Sequence, residues 1–429
     1  MITCLFVAFV VLMLLGIPIS VALVLAAALS IVGLSDYSLS VIPQKLFHAG
    51  NSFPLLAVPF FVLAGGIMGS GGMSDRLIAL ARALVGQVRG GLGMVSVLAC
   101  MFFAAISGST AATTASIGMI MIPALIHSGY SPGSATSLQA TAGSIGIIIP
   151  PSIPLVLMGV IGGMSIGDLF LGGVGPGVLI GLSLMAAAHL VARFGGHKQS
   201  GDRLKLSRLA RTFLAAIPSL LTIVIVIGGI IGGLVTPTEA AILAVLWSLL
   251  VSGVFYRSLS GKALYGVCVD TVKITGIVIL CIGATAPFAW LLTVERVPEM
   301  LGQSILSLSS NAVILKLLVL LILLAIGMFM DLTPAMILLV PILKPIAMTL
   351  GMDLVHFGVI TVMALGIGQC TPPVGIALFV ACGISKVRLE KLIWPLMPYL
   401  LAMFAALLVC TYCPKVVTWL PQWLSSEHA

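Results

Sequence analysis

Apolar runs follow one another along this chain, most of them long enough to cross a hydrocarbon layer. A helix needs roughly 20 such residues to span about 30 Å. Runs near 4–34, 54–70, 133–165, 169–193, 214–234, 237–257, 264–292, 354–384 and 395–420 predict membrane helices. Two more, near 93–127 and 312–348, are interrupted mid-way by small or polar residues and predict re-entrant helical hairpins. The expected fold class is an all-α polytopic membrane protein.

The interruptions recur in the two halves. SGSTAATTASIGMIMIP (Ser107–Pro123) is followed by TAGSIGIIIPPSIP (Thr141–Pro154). GMFMDLTPAMILLVP (Gly327–Pro341) is followed by ALGIGQCTPPVGIA (Ala364–Ala377). Pro123 aligns with Pro341, Pro150-Pro151 with Pro372-Pro373, and Pro176 with Pro398. The chain thus divides into 1–192, a polar loop at 193–212, and 213–429. Each half holds leading helices, a short amphipathic stretch, a hairpin (93–127 or 312–348), a broken helix (133–165 or 354–384) and a closing helix. Counting crossings, the two hairpins enter from opposite sides, which predicts two inverted-topology repeats. Paired, Gly/Pro-interrupted segments of this kind point to the binding site of a secondary transporter.

Composition agrees with lipid as the solvent. Hydrophobic residues make up 60% of the chain and charged residues 7%, against about 25% charged in soluble domains. The loop 193–212 carries Arg193, Lys198, Arg203, Lys205, Arg208 and Arg211 against Asp202 alone, which predicts a cytoplasmic location. The count then places Arg76, Arg82, Arg89, Arg257, Lys262, Lys386, Arg388, Lys391 and the N-terminus in the cytoplasm. The C-terminus, with Trp419 and Trp423, falls on the periplasmic side. A short basic loop between spans argues against a nucleic-acid partner. Residues 1–34 lack a basic leader and run too long for a signal peptide, so they read as one membrane helix. The eight cysteines show no disulfide framework, and Cys410 and Cys413 read as helix-packing residues. Ser74–Gly86 starts with a Ser-Asp cap and puts Leu77, Leu80, Ala81 and Leu84 on one face, predicting an interfacial helix. Val297–Ser309 reads the same way on the other side.

The tips carry the candidate chemistry. Backbone groups cannot go unsatisfied in hydrocarbon, so Gly108, Ser109 and Thr110 belong in a tip buried in protein. The same holds for Gly143, Ser144 and Gly146 before Pro150-Pro151, and for Gly366, Gly368 and Thr371 before Pro372-Pro373. Proline lacks an N–H, so carbonyls near it are left free. Carbonyl and hydroxyl oxygens suit an alkali cation, and a helix N-terminus suits an anion. One such oxygen cage per half suggests two cation sites. Asp331 is the ionisable residue at the second tip, suited to coordinate a cation, bond substrate hydroxyls, or cap the next helix. By alignment it faces Thr113 in the first half. Glu239 and Ser165 read as helix caps, Asp270 and Lys273 as a pair on one helix, and His127 and His189 as interfacial. An intramembrane serine enzyme built on Ser107 or Ser109 would need a base, and neither tip holds a His. An uncoupled channel is a further alternative.

Taken together, SGSTAATTASIG, GSIGIIIPPS, TPTEAA and GQCTPPVG resemble the large (M, DctM-like) subunit of tripartite ATP-independent periplasmic (TRAP) transporters along nearly the whole chain. The resemblance implies an inner-membrane, sodium-coupled importer of small carboxylated solutes with an elevator motion, no enzyme activity and no cofactor beyond Na+. It implies a small four-helix membrane (Q) subunit, expected here as a separate chain, and a periplasmic substrate-binding (P) protein. Carried over, one sodium site involves Ser107, Thr110, Gly146 and the Ile149 carbonyl. The other involves Gly327, Gly368, Thr371 and Asp331. Substrate would touch Ser107, Ser109, Ser152 and Asp331. The Thr-Thr in the first tip resembles the sialic-acid branch, implying N-acetylneuraminate, with C4-dicarboxylates or another sugar acid as the alternative.

Overall fold

A backbone in hydrocarbon has to satisfy its own N–H and C=O groups, and helices do so within one segment. The computed structural model describes residues 1–35, 37–88, 90–194, 206–297, 300, 311–373 and 375–427. Among these residues there is no strand, and nine helices are long and apolar enough to cross a membrane. The first half holds α1 (Ile2–Leu14), α2 (Ile19–Leu34), α3 (Val41–Gly50), α4 (Ala57–Ser70) and α5 (Met73–Val85). It continues with α6 (Gly91–Ser107), α7 (Thr110–His127), α8 (Pro132–Gly143), α9 (Ile153–Gly162) and α10 (Ile166–Phe194). The second half holds α11 (Leu206–Ile231), α12 (Pro237–Leu250), α13 (Gly261–Val294), α14 (Ala312–Phe329) and α15 (Leu332–Thr349). It ends with α16 (Leu354–Gly368), α17 (Ile376–Ser385), α18 (Ile393–Tyr412) and α19 (Lys415–Glu427).

The run 4–34 is not one helix. Gly16 takes φ +77 and Pro18 precedes α2. The Gly16 and Ile17 N–H groups donate back to the Met13 and Leu12 carbonyls at 2.9 and 3.2 Å, closing α1. Glycine adopts this left-handed backbone at little cost, and proline cannot extend a preceding helix's bonding. The two helices are about 20 and 24 Å long at 1.5 Å per residue, and they pack on each other and on α13. Phe6 and Phe9 pack on Phe288 with centroids at 5.9 and 5.6 Å. Tyr37 packs on Trp290 at 5.1 Å. The start of α1 and the end of α2 therefore lie side by side near the end of α13. The turn between them reaches back to Ile277 and Cys281 in its middle.

The connections sort to two ends of the helix array. At one end Ser258 donates to the Gly71 carbonyl, and the Arg76 guanidinium stacks 3.5 Å from the Tyr256 ring centroid. Gly90 abuts Ala192, and Gly133 abuts the Lys391 carbonyl. The described loops with Arg257, Lys386 and Arg388 share this end. The start of α10 and Pro421 of α19 meet at the opposite end. The chain start lies there too, because the Gly16–Pro18 turn brings α1 and α2 back on themselves. The expectation that it shares the basic end required a single crossing over 4–34.

The amphipathic α5 buries Met73, Leu77, Ile78, Leu80 and Ala81 and leaves Leu84 exposed. Its start differs from the expected Ser-Asp cap. Gly72 in the left-handed region precedes it, and the Ser74 hydroxyl is buried without a partner. Glu239 forms a capping box with Thr236, Ser165 caps the start of α10, and Asp270 pairs with Lys273 at 3.9 Å. Most of Val297–Ser309, Arg89 and residues 195–205 lie outside the described residues.

Candidate functional site

Two helix-to-helix tips meet two helix breaks near the middle of the array. At the first tip Gly108 takes φ +59 and Ser109 caps α7. At the second, Asp331 caps α15, accepting from the Leu332 N–H at 2.8 Å. By cap position the counterpart of Asp331 is therefore Ser109, whereas alignment along the sequence sets it against Thr113. The first break runs from the end of α8 through a 3-10 turn (Ser144–Ile147) to the start of α9. The second separates α16 from α17. The Pro150-Pro151 and Pro372-Pro373 peptide bonds are both cis.

The first tip lies backbone-to-backbone on its break. A Cβ added at Gly146 would stand 2.6 Å from Thr113 Oγ1 and 2.7 Å from the Ser109 carbonyl oxygen. The Ile153 N–H donates to the Gly108 carbonyl at 3.3 Å. Beside them the Ser107 and Thr113 hydroxyls bond at 2.7 Å. Thr110 is 5% exposed, and its hydroxyl has no partner. Buried polar atoms are ordinarily bonded, so an orphan is a candidate ligand atom.

The second tip is held by a closer crossing and a side-chain bridge. α14 and α16 cross with Gly327 on Gly368, where an added Cβ on Gly368 would lie 2.6 Å from the Gly327 carbonyl carbon. Gln369 Nε2 donates to Asp331 Oδ1 at 2.8 Å, while Gln369 Oε1 is buried without a partner. The Thr371 hydroxyl donates to the Ile367 carbonyl at 2.9 Å. Sequence reading quoted Gln369 inside its motif without assigning it a role. A lone amide at the end of an otherwise apolar helix was the available signal.

Between the tips lies a cavity of about 630 Å³. Ser109, Thr110, Asp331 and Gln369 face it, with Ile277 and Cys281 of α13 on one side and Pro18, Ile19 and Ser20 of the α1–α2 turn on another. Among the described residues Asp331 is the one charged group lining it. Helices α2, α7, α9, α15 and α17 all begin at its wall. Each N-terminus presents the positive end of a dipole, although at α9 the Ile153 and Leu155 N–H groups are already bonded to the Gly108 carbonyl and Ser152. The cavity is thus electropositive through its backbone, apart from one carboxylate. An adjoining cavity of about 380 Å³ holds Ser107, Ser109, Asp270 and Thr271.

The structure brings Ser107, Ser109, Thr110 and Gly146 together at the first tip, and Gly327, Asp331, Gly368 and Thr371 at the second. The Ile149 side chain packs on Gly177 of α10. Ser152 does not line the cavity between the tips. It is fully buried, donates to the Ile147 carbonyl at 2.5 Å and accepts from the Leu155 N–H at 3.3 Å. Its hydroxyl caps α9 and staples the break.

Residues 6–416 match the family described as tripartite ATP-independent periplasmic transporter, DctM component. The chain belongs to this family. The DctM component is a multi-pass membrane transporter subunit, and several relatives are named as TRAP large permeases. YgiK of Salmonella typhimurium is 43% identical over 97% of this chain and 96% of its own. The isethionate TRAP transporter permease protein DctMQ of Oleidesulfovibrio alaskensis is 40% identical over 94% of this chain, which spans 63% of that longer protein. The C4-dicarboxylate large permease DctM of Vibrio cholerae is 37% identical over 95% of each chain. Other DctM relatives are named for 2,3-diketo-L-gulonate and for sialic acid, so membership by itself does not single out the sialic-acid branch. The YdaH transporter of Alcanivorax borkumensis shares the fold, with a TM-score of 0.61 over 91% of this chain and 95% of that one at 15% identity.

Proposed function

We propose that this DctM component is the subunit of an inner-membrane importer that moves a small organic acid together with Na+ through the cavity between the two tips. The supporting observation is the pair of buried, unpartnered oxygens, Thr110 Oγ1 and Gln369 Oε1, one at each tip-and-break junction and both on residues that line the same cavity. Charge balance favours coupling. An acid group about 6 Å from Asp331 meets a repulsion of roughly 3 kcal/mol at an effective dielectric near 20, and a cation about 4 Å away returns about 4 kcal/mol. One cation would be held by Ser107, Thr110, Gly146 and the Ile149 carbonyl, the other by Gly327, Gly368, Thr371 and Asp331. The repeated tip and break support two inverted repeats working as an elevator. The relatives' names define the solute panel of isethionate, a C4-dicarboxylate, 2,3-diketo-L-gulonate and N-acetylneuraminate.

With the basic end in the cytoplasm, both termini face the periplasm. The tripartite family description supports two partners, a small membrane subunit and a periplasmic binding protein that delivers the solute. Ser107 bonds another hydroxyl rather than a base, which supports transport over serine chemistry. The test is uptake into proteoliposomes carrying all three proteins. An inward Na+ gradient should drive accumulation of one panel member, and replacing Na+ by choline should reduce it at least about ten-fold. Equal uptake in choline would remove the coupling, and single-channel currents from the purified protein would favour a channel.

A further inference from the structure

The turn between α1 and α2 has no role in the reading so far, yet it forms part of the cavity wall. We propose that the start of α2, with the Ser20 hydroxyl, is the anion-receiving surface of the cavity, taking the carboxylate or sulfonate of the solute. This rests on the cavity reading above and adds which wall meets the acid group. Three other helices that begin at the cavity carry side-chain caps. Ser109 caps α7, Ser152 caps α9 and Asp331 caps α15. Helix α2, 16 residues long, has Pro18 at its cap position and no side-chain cap. The first bond at this end is the Ala22 N–H to the Pro18 carbonyl, so the Ile19, Ser20 and Val21 N–H groups precede the helix's own ladder. An uncapped start leaves both donors and dipole for an anion.

Two independent observations point to a ligand there. Ser20 is 8% exposed and lines the cavity, and among the described residues its hydroxyl has no hydrogen-bond partner. Thr110 and Gln369, both more than nine-tenths buried, line the same cavity and each hold a buried oxygen without a partner. Helix α17 also begins without a side-chain cap, but only Ile376 of its first turn reaches the cavity. The acid group is thereby drawn away from Asp331, towards the wall formed by α2, while the cations gather at the tips.

Thiol reactivity tests this without knowing the solute. The full-length protein is made as Ser20→Cys with all natural cysteines replaced, and compared with a protein that keeps only Cys281, on the α13 wall. Each is treated with anionic sulfonatoethyl methanethiosulfonate and with cationic trimethylammonioethyl methanethiosulfonate, rates being normalised to a free thiol. The expected result is a preference for the anionic reagent at position 20 of roughly five- to thirty-fold. An equal or cationic preference overturns the proposal. If Cys281 reacts while the cysteine at position 20 is silent, the cavity stands and the role of α2 falls. If neither reacts, the cavity reading itself fails. As a second readout, Ser20→Ala should raise the KM for the transported panel member about five-fold at unchanged kcat. An unchanged KM counts against the proposal even where the cysteine variant fails to fold.

Discussion

Gly368→Ala should be among the most damaging single-methyl additions in this protein, and the damage should reach the transport site. The new Cβ would lie 2.6 Å from the Gly327 carbonyl carbon and 3.0 Å from the Leu324 carbonyl oxygen. Both are main-chain atoms of a facing helix and cannot swing aside. Ordinary contact begins near 3.4 Å, so α14 and α16 have to part by about 1 Å. Overpacking of this kind costs about 1–3 kcal/mol. The same shift stretches the 2.8 Å bond between Gln369 and Asp331, and a lost bond to a charged group adds about 1–3 kcal/mol. A loss near 3 kcal/mol is expected. Gly366→Ala is the control, since its Cβ would meet only side-chain atoms, Cδ1 and Cγ1 of Ile147, which can turn aside where main chain cannot; its cost should stay under about 1 kcal/mol. Unfolding midpoints of the two variants in one detergent, with solute uptake alongside, measure the difference. Equal midpoints, or a larger loss in Gly366→Ala, would refute the crossing as described.

Ser152→Ala should lower stability by about 1–2 kcal/mol through the lost cap and the lost bond to Ile147, while the transport KM stays at its wild-type value; a raised KM at unchanged stability would return Ser152 to the substrate wall. Lys344→Met removes a 2.6 Å bond from Nζ to the Gly162 carbonyl at the end of α9, and the unfolding midpoint should fall by the equivalent of about 1–2 kcal/mol; an unmoved midpoint would show that the contact is idle. Asp331→Asn keeps a competent helix cap but removes the charge, so membrane insertion should persist while half-saturating Na+ rises at least about ten-fold; wild-type Na+ dependence would take Asp331 out of the cation site. Ser107→Ala should slow uptake without affecting insertion, and a wild-type rate would remove Ser107 from the first site.

The apolar runs made the helical membrane fold legible because lipid demands length and hydrophobicity, which a one-dimensional pattern records directly. Helix ends at Ser107, Thr110, Phe329, Leu332 and Gly368 fall where small or polar residues interrupt those runs. The division of 4–34 was missed because Gly16 and Pro18 sit in otherwise apolar surroundings, and a run of that length is what one crossing helix looks like. Ser152 is ambiguous in the sequence for a different reason. A hydroxyl after a Pro-Pro break is equally suited to bind a ligand or to satisfy its own backbone, and only the bonds to Ile147 and Leu155 decide between them. Gln369 was passed over because its partner Asp331 is 38 residues away in sequence.

The stack of Arg76 on Tyr256 fastens the beginning of α5 to the far end of the α12 region, and the packing of α5 on α11 extends that fastening along its length. Because α5 also packs along α6 of the first hairpin, a beam clamped in this way resists any travel of that hairpin. Strain would then concentrate where α5 hands over to α6, at Gly86, Gly90 and Gly91, the joint with the least side-chain material to resist bending. Stiffening that joint, rather than altering any residue near the cavity, is the change that would separate solute capture from solute delivery.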